Sequence, residues 1–238
     1  MNFDNYKFRC SAVGNLFVEP QSKAAKDAGE LSETTKTWLN EIFIEQYYGR
    51  RKEITSKYMT KGNICEEQSI SIVQDALDET YIEKNEQRFE NDYVVGTPDI
   101  VLDGMVVDVK TCWDLWSFFR KDPTNKLYYY QLQSYMLLAG RTKSALFYTL
   151  VNTPEHLLDA DIRKATYQYE AEELTEAIDN IKINSTFDDI PLYQRYRAFY
   201  FDADAEFADK LKSKVEKARE YLNDLLVKTE QSNVPFNS

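Results

Sequence analysis

Hydrophobic side chains along this chain recur with two different periods, one typical of helices and one typical of strands. Over residues 32–48, Leu39, Ile42 and Phe43 return every three to four positions, between a serine that can cap a helix and a glycine that can end it. The same spacing predicts further helices over residues 63–80, 125–140, 171–183 and 207–226. The last helix is long and amphipathic. Its apolar stripe either forms a short coiled-coil seam or, as is more ordinary, packs on its own domain.

The pattern changes between residues 87 and 112, where apolar residues come in short β-branched or alternating runs. The runs cover residues 93–95, 100–102 and 105–109. Asp103 and Gly104 separate the last two runs, and an Asp-Gly step in such a place is a strong signal for a hairpin. Further strands are predicted over residues 145–151 and 192–201. The chain therefore mixes helices and strands around a central hairpin.

Composition bounds the class of protein. With 238 residues, 43% of them apolar and 14% aromatic, the chain can pack one substantial domain, and its seven glycines and six prolines are too scattered to form a linker. It has neither an apolar run that could span a bilayer nor a signal peptide. We therefore expect a soluble, cytoplasmic protein with no membrane partner. Three cysteines that lie far apart provide no disulfide framework and no iron–sulfur site.

The net charge of −11, from 29 basic and 40 acidic residues, argues against a broad phosphate-binding face. Any contact with nucleic acid must then be local. An acidic shell around a basic cleft is compatible with an enzyme that grips a few phosphates and neutralises its own carboxylates with bound cations. Basic residues that could steer DNA include Arg50, Arg51 and Lys52, although each of them can equally be a solvated loop charge.

The predicted hairpin places candidate chemistry at one end of a sheet. Asp99 starts its first strand and Asp108 lies well along the second, so both carboxylates can approach one point. Lys110 points to the same face as Asp108, because strand side chains alternate. Hydrolysis of a phosphodiester requires a hard cation held by such oxygens, and a lysine can orient water or neutralise charge on phosphorus. Asp-x-Lys alone is common, and the alternative is the solvated face of an exposed hairpin.

Two flanking helices offer further polar groups. Upstream, Glu66 or Glu67 can bring a carboxylate to the metal from the side opposite the hairpin, or can merely complement the helix dipole. Downstream, Gln131 and Tyr135 are four residues apart and share a helix face. They could bind a phosphate or a base, or could belong to the core.

Together these residues form four motifs in a fixed order. The motifs are Gly62-x-x-x-Glu66, Pro98-Asp99, Asp108-Val109-Lys110-Thr111 and Gln131-x-x-x-Tyr135. The series resembles that of the PD-(D/E)XK nuclease superfamily, in its RecB-like and YqaJ or lambda-exonuclease-like branch, over roughly residues 61–140. A weaker match is the segment that contains Ser11, which is similar to a serine-and-glycine element that lies near the DNA in this branch.

The resemblance implies an α/β (α+β) fold with a central mixed β-sheet flanked by helices, a restriction-endonuclease-like core and a long C-terminal helix. Residues 1–238 would form a single nuclease domain. Its catalytic core would cover about residues 61–151, preceded by an N-terminal helical part over residues 1–60 and followed by a C-terminal helical extension over about residues 171–238.

The resemblance also implies the site. One or two Mg²⁺ or Mn²⁺ ions, without an iron–sulfur cluster, would be held by Glu66, Asp99, Asp108 and the Val109 backbone carbonyl. Lys110 would position the attacking water, and the products would carry a 5′-phosphate and a 3′-hydroxyl. The residues expected to contact DNA are Gln131, Tyr135, Thr111, Ser11 and Arg120.

The implied activity is that of an exonuclease which resects duplex DNA ends in phage-type recombination or DNA processing. Its expected partners are DNA, as duplex ends or single strands, a single-strand annealing protein, and further copies of the chain in a homo-oligomer. Two alternatives stay open. One is an endonuclease that acts on branched or foreign DNA, and the other is a non-catalytic nuclease-fold module that binds DNA or a protein.

Overall fold

Two β-sheets organise the computed structural model, which describes residues 1–53 and 55–232. Within those residues the first sheet has the strand order β1-β3-β2, and its strands are β1 (Phe8–Arg9), β2 (Phe89–Glu90) and β3 (Val94–Gly96). The second has the order β4-β5-β6-β7, and its strands are β4 (Ile100–Val101), β5 (Met105–Cys112), β6 (Lys143–Leu150) and β7 (Tyr196–Asp202). Pairing is parallel between β1 and β3 and between β5 and β6, and antiparallel elsewhere.

Helices connect and cover these strands. They are α1 (Lys23–Asp27), α2 (Glu33–Tyr48), α3 (Lys57–Ile64), α4 (Glu66–Ala76), α5 (Leu115–Phe119), α6 (Lys126–Ala139), α7 (Asp159–Gln168), α8 (Ala171–Ile183) and α9 (Phe207–Ser232). Short 3-10 helices lie at Cys10–Phe17, Glu155–Leu157 and Leu192–Gln194. The expected fold class, mixed sheet flanked by helices with a long helix at the C-terminal end, is confirmed.

Strand β6 is buried on both faces, which explains its nearly continuous apolar sequence. Ala145 and Phe147 pack in one cluster with Val73 of α4. Leu146 belongs to a different cluster, together with Leu132 of α6. Since neighbouring side chains on a strand point to opposite faces, α4 and α6 cover opposite sides of the sheet. Any group on β5 therefore faces one helix or the other.

Local signals in the sequence predicted several elements closely. Ser32 caps α2, with its Oγ accepting from the Thr35 N–H at 3.1 Å. The Asp103-Gly104 hairpin forms, with Ile100 opposite Val107 in antiparallel register. Helix α6 begins after Asn125 and ends at Gly140, whose φ of 63° is the left-handed conformation that glycine adopts without strain.

The helix predicted over residues 63–80 is wrong in its bounds, because two helices meet at Cys65 and the second ends at Ala76. Cys65 itself is not helical, with φ −96° and ψ 10°. The two helices serve different purposes. Helix α3 buries Lys61, whose Nζ donates to the Trp113 carbonyl at 3.0 Å, whereas α4 packs Ile70 on the sheet. The strand predicted over residues 192–201 is also shifted, since a 3-10 turn precedes β7.

Helix α9 uses its apolar stripe within the chain. Leu211, Val215, Ala218 and Leu222 are fully buried in the same cluster as Phe3. This packing is the more ordinary of the two arrangements that the sequence allowed. No helix within the described residues is both long and apolar enough to cross a membrane.

Candidate active site

Strand β5 carries a buried carboxylate and its ammonium partner. Asp108 is 1% exposed, and its Oδ2 lies 2.7 Å from Lys110 Nζ. Both side chains point toward α6, because they are two residues apart on a strand. There Gln131 Nε2 donates to Asp108 Oδ1 at 2.8 Å and to the Tyr135 hydroxyl at 3.1 Å. The strand and the helix thus hold one carboxylate between an ammonium group and an amide.

Asp99 reaches the same place from the residue that precedes β4. Its Oδ2 accepts the Val109 N–H at 2.7 Å. The bend that leads to it is held by Asn85, whose Nδ2 donates to the Pro98 carbonyl at 2.9 Å and whose backbone N–H donates to the Asp99 carbonyl at 2.8 Å. The loop that joins the motif of Glu66 to the motif of Asp99 therefore holds Asp99 in place.

The charges in this group alter one another's pKa. Burial, and then the neighbouring Asp108 charge, raises the pKa of Asp99 to about 7. Burial by itself would lower the pKa of Lys110, but the carboxylates of Asp108 and Asp99 outweigh burial and raise that pKa above its ordinary value. Lys110 is therefore positively charged at neutral pH. A further cation close to Asp99 would stabilise the charged form of that carboxylate.

Glu66 and Glu67 are separated by their position at the start of α4. Glu66 lines the cleft in front of Asp99 and Lys110, whereas Glu67 is exposed. Lys84 Nζ lies 2.5 Å from Glu66 Oε2. Adjacent residues on a helix point about 100° apart, so Glu66 faces the cleft while Glu67 points away from it. Lys84, from the loop that follows α4, pairs with Glu66.

A chain of hydroxyl groups joins α4 to the sheet beneath it. Ser69 Oγ lies 2.7 Å from Thr111 Oγ1 and accepts from Thr149 Oγ1 at 2.9 Å. Ser69 is fully buried and stands three residues after Glu66, on the same side of the helix. These hydrogen-bonded hydroxyl groups fix the distance between the helix that carries Glu66 and the strand that carries Lys110.

These side chains open into a cleft of about 590 Å³. The residues expected at the site that line it are Ser11, Glu66, Asp99, Val109, Lys110, Thr111 and Gln131. Asp108 lies buried behind them, and Tyr135 lines a neighbouring cleft. The Arg120 Nε donates to the Trp116 carbonyl at 3.3 Å instead of lining the cleft, and Lys121 occupies the wall there.

Gly96 allows the first sheet to approach this site. A Cβ at this position would lie 2.7 Å from Tyr135 Cε1 and 2.8 Å from Cys10 Sγ, so any other residue would force these neighbours to shift. The close approach brings β3 against α6. Beside it lies a second, smaller cleft of about 400 Å³, whose lining includes Arg9 and Arg88.

No family model matches the chain, and no curated protein matches it by sequence. A solved structure does match. The phage-related exonuclease from Haemophilus somnus 129PT superposes with a TM-score of 0.79 at 27% identity, over 94% of this chain and 97% of that one. The chain has the fold of this phage-related exonuclease. The resemblance indicated by the four motifs is thereby confirmed.

The phage-type nuclease fold is shared with more distant proteins. The alkaline exonuclease LHK-Exo from Laribacter hongkongensis superposes with a TM-score of 0.63 at 13% identity, over 96% of this chain and 94% of that one. LHK-Exo in complex with dAMP gives the same TM-score and identity, over 95% and 92%. Both comparisons show the fold alone.

The carboxylates at this cleft fit a hard cation, although within residues 1–53 and 55–232 no three histidine, cysteine, aspartate or glutamate side chains form a group that could hold a metal as they stand. Burial, and then the charge of Asp108, raises the pKa of Asp99, so a cation between the two carboxylates would favour their charged forms. Among the described residues, the buried Oδ2 of Asp108 receives only the ion-pair contact of Lys110 and no well-directed hydrogen bond. An oxygen in this state is suited to metal coordination.

Several groups at the cleft have no clear signal in the sequence. Lys84 and Asn85 lie in an irregular loop with no motif. Ser69 could have been found, because it follows Glu66 by one helical turn. Lys121 could also have been considered, since it is the neighbour of Arg120 and only the end of α5 decides which of the two faces the cleft.

Proposed function

We propose that this chain is a metal-dependent exonuclease that hydrolyses phosphodiester bonds at the ends of duplex DNA. The observation that carries the proposal is the convergence of Asp99 and Lys110 on one cleft, with Asp108 buried directly behind them against Lys110. They do so in a chain that matches a phage-related exonuclease over almost its whole length. An isolated Asp-x-Lys on an exposed hairpin would have neither the burial nor the partners that these residues have.

In this proposal, Glu66, Asp99, Asp108 and the Val109 carbonyl hold one or two Mg²⁺ or Mn²⁺ ions. A bound ion of this kind polarises a phosphate oxygen and makes water more acidic. The carboxylate charges attract such an ion, and Lys84 would then have to leave Glu66. The hydrolysis leaves a 5′-phosphate and a 3′-hydroxyl.

Lys110 acts on the reacting groups directly. Its ammonium lines the cleft while Asp108 fixes it from behind, so it can donate a hydrogen bond to the attacking water or to the phosphate. The pKa shift keeps it charged, which favours the stabilisation of negative charge that develops on phosphorus. Gln131 is a positioning residue, because its amide nitrogen is bonded to Asp108 and Tyr135.

The DNA strand would enter along the open cleft. Ser11, Thr111 and Lys121 line its walls and can contact phosphates there. Arg120 and Tyr135 would contact DNA only beyond this cleft. We further propose a role in phage-type recombination in the cytoplasm, as a homo-oligomer alongside a single-strand annealing protein. The support is the likeness to a phage-related exonuclease.

The test is the release of acid-soluble nucleotides from linear and from covalently closed circular duplex DNA, with Mg²⁺ or with EDTA. Loss of linear DNA only, dependent on metal, is the expected result. Lys110→Ala should abolish it, and Lys210→Ala, which removes a lysine paired with Asp204 outside the cleft, should not. Cutting of both substrates would replace the exonuclease by an endonuclease.

Metal binding separates a catalytic site from a non-catalytic module. Mn²⁺ binding, followed by electron paramagnetic resonance, should be lost in Asp108→Asn and kept in Lys110→Ala. A protein that cuts neither substrate in Mg²⁺ or Mn²⁺, and whose Asp108→Asn variant binds DNA like the wild type, would be a binding module of nuclease fold.

A further inference from the structure

A third groove lies on the outer side of α2. It has a volume of about 390 Å³, and its lining includes Arg9, Trp38, Arg50, Arg51 and Lys52. The groove is continuous with the site through shared residues. Ser11 lines both the catalytic cleft and the small cleft beside Gly96, and Arg9 lines both that small cleft and the outer groove. A surface path therefore runs from the carboxylates to the basic segment at residues 50–52.

The strand register explains why Arg9 stands at this junction. Arg9 lies opposite Val95 in the parallel pairing of β1 with β3. The chain continues from β3 through Gly96 to Asp99, so the arginine flanks the backbone that delivers a catalytic carboxylate. On the other side of β3, Arg88 directly precedes β2. Two guanidinium groups thus stand at the point where the path leaves the catalytic cleft.

The charges of the outer groove are loosely held. Arg9 and Arg51 each lie 4.0 Å from Glu45, and Lys52 lies 3.6 Å from Glu41. The side chains of the three basic residues are between 60% and 72% exposed. Exposed pairs at such distances contribute little, and the cations can turn to another anion at small cost.

The net charge of the groove is opposite in sign to that of the whole protein. Its lining holds four cations, Arg9, Arg50, Arg51 and Lys52, against two carboxylates, which is a surplus of two positive charges. The whole chain carries −11. A polyanion repelled by most of this surface would be attracted locally to the groove.

We propose that the outer groove of α2 binds the sugar-phosphate backbone of a DNA strand that extends beyond the catalytic cleft. The inference rests on the proposed function, since it needs a polynucleotide substrate. The planar guanidinium group of an arginine can donate two hydrogen bonds to one phosphate. Trp38 and Ile44 supply apolar surface for the sugars that lie between successive phosphates.

The test compares two triple variants. Arg50→Ser/Arg51→Ser/Lys52→Ser removes the groove's basic segment. Arg163→Ser/Lys164→Ser/Lys182→Ser removes the same charge from α7 and α8, and none of its three positions lines the catalytic cleft, the small cleft or the groove. Each is made with Lys110→Ala, so that binding of a labelled 30-base-pair duplex can be measured from 50 to 200 mM salt without cleavage.

The groove variant should bind the duplex about 10-fold more weakly at low salt, and the slope of log affinity against log salt should fall in magnitude by about 1 to 3, one for each lost phosphate contact. The control variant should match the Lys110→Ala parent. Wild-type affinity and slope in the groove variant, or equal losses in both variants, would overturn the proposal.

A second readout keeps the groove separate from the chemistry. With Lys110 restored, hydrolysis of bis(p-nitrophenyl) phosphate in Mn²⁺ should be unchanged by the groove substitutions, because this small diester reaches only the catalytic cleft. Loss of that hydrolysis in the groove variant would contradict a role in backbone binding alone. If the wild type failed to cut DNA, the proposed nuclease activity would be refuted. The binding comparison between the two triple variants would still test whether the groove binds DNA.

Discussion

Gln131 holds Asp108 by a hydrogen bond of 2.8 Å from Nε2 to Oδ1, inside a protein region where neither side chain is exposed by more than 3%. Gln131→Leu should leave this carboxylate oxygen without its donor. The free energy of unfolding should fall by about 1–3 kcal/mol. Mn²⁺ affinity should fall about 10-fold, since the ligand is no longer oriented. Urea unfolding and Mn²⁺ titration measure the two effects.

Gln133 offers the matched control on the same helix. It is equally buried, donates to the Asp202 carbonyl at 2.9 Å and accepts the Asp204 N–H at 2.8 Å, away from the site. Gln133→Leu should lower stability by a similar amount and leave Mn²⁺ affinity unchanged. An equal loss of Mn²⁺ affinity in both variants would mean that any loosening of α6 disturbs the site.

Lys84 should compete with a metal ion for Glu66, with which it forms an ion pair. Because its Nζ lies 2.5 Å from Oε2, the ion pair must break before that carboxylate can coordinate a cation. Lys84→Met should therefore bind Mn²⁺ more tightly. Lys7→Met, which breaks a pair of similar length with Glu90, provides the control and should bind Mn²⁺ like the wild type. Weaker binding in Lys84→Met would show that the lysine supports the site instead.

Ser69 connects the helix of Glu66 to Thr111 and Thr149. Ser69→Ala should cost about 1 kcal/mol of stability, as for one buried hydrogen-bonding group. It should lower kcat more than it raises KM for DNA, because it displaces catalytic groups and not the DNA-binding surface. Ser134→Ala removes another fully buried hydroxyl, bonded to the Tyr130 carbonyl at 2.9 Å, and should leave kcat unchanged. A pure rise in KM in Ser69→Ala would place the serine in DNA binding.

The buried thiols predict a loss of stability at high pH. Burial raises the pKa of Cys10 to about 12 and that of Cys112 to about 11, from an ordinary value of 9.0. The unfolded chain therefore releases these protons first, so the stability they contribute is present below pH 9 and is lost as the pH rises toward 12. Urea unfolding at pH 8 and pH 10 should show a smaller decrease for Cys10→Ala/Cys112→Ala than for the wild type.

The same pKa shifts predict slow thiol chemistry in the folded protein. Iodoacetamide at pH 8 should label Cys10 and Cys112 only after denaturation, because the thiolate is the reactive form and both groups are buried. Rapid labelling of either one in the native state would contradict the burial that the structure shows.

The hairpin and α6 could be predicted from the sequence because their signals are local. An Asp-Gly turn, alternating apolar runs and two helix caps each lie within a few residues of the element that they define. These elements also carry most of the motif series. Hence the sequence predicts Asp99, Asp108, Lys110 and Gln131 as site residues, and the structure brings these four side chains together.

Long-range contacts explain what could not be predicted. The pairing of β1 with β3 joins residues more than 80 positions apart, and no pattern in either strand indicates its partner. Lys84 and Asn85 act on Glu66 and Asp99 through loop geometry alone. The break at Cys65 arises because α3 and α4 bury different faces, which a single helical period across both does not reveal.

Helix α9 is the last described element in the sequence, and its side chains complete the cluster that contains Phe3. Arg219 donates to the Tyr6 carbonyl at 3.0 and 2.9 Å, and the Phe3 N–H donates to Asn223 Oδ1 at 2.9 Å. The cluster that these contacts close also contains Tyr135, the partner of Gln131. On the ribosome, a growing chain makes β4, β5 and β6 before residues 207–232 emerge. The cleft therefore receives the support of α9 only after its own residues have been made, so a chain cut before α9 would carry Asp99, Asp108 and Lys110 without the packing around Tyr135.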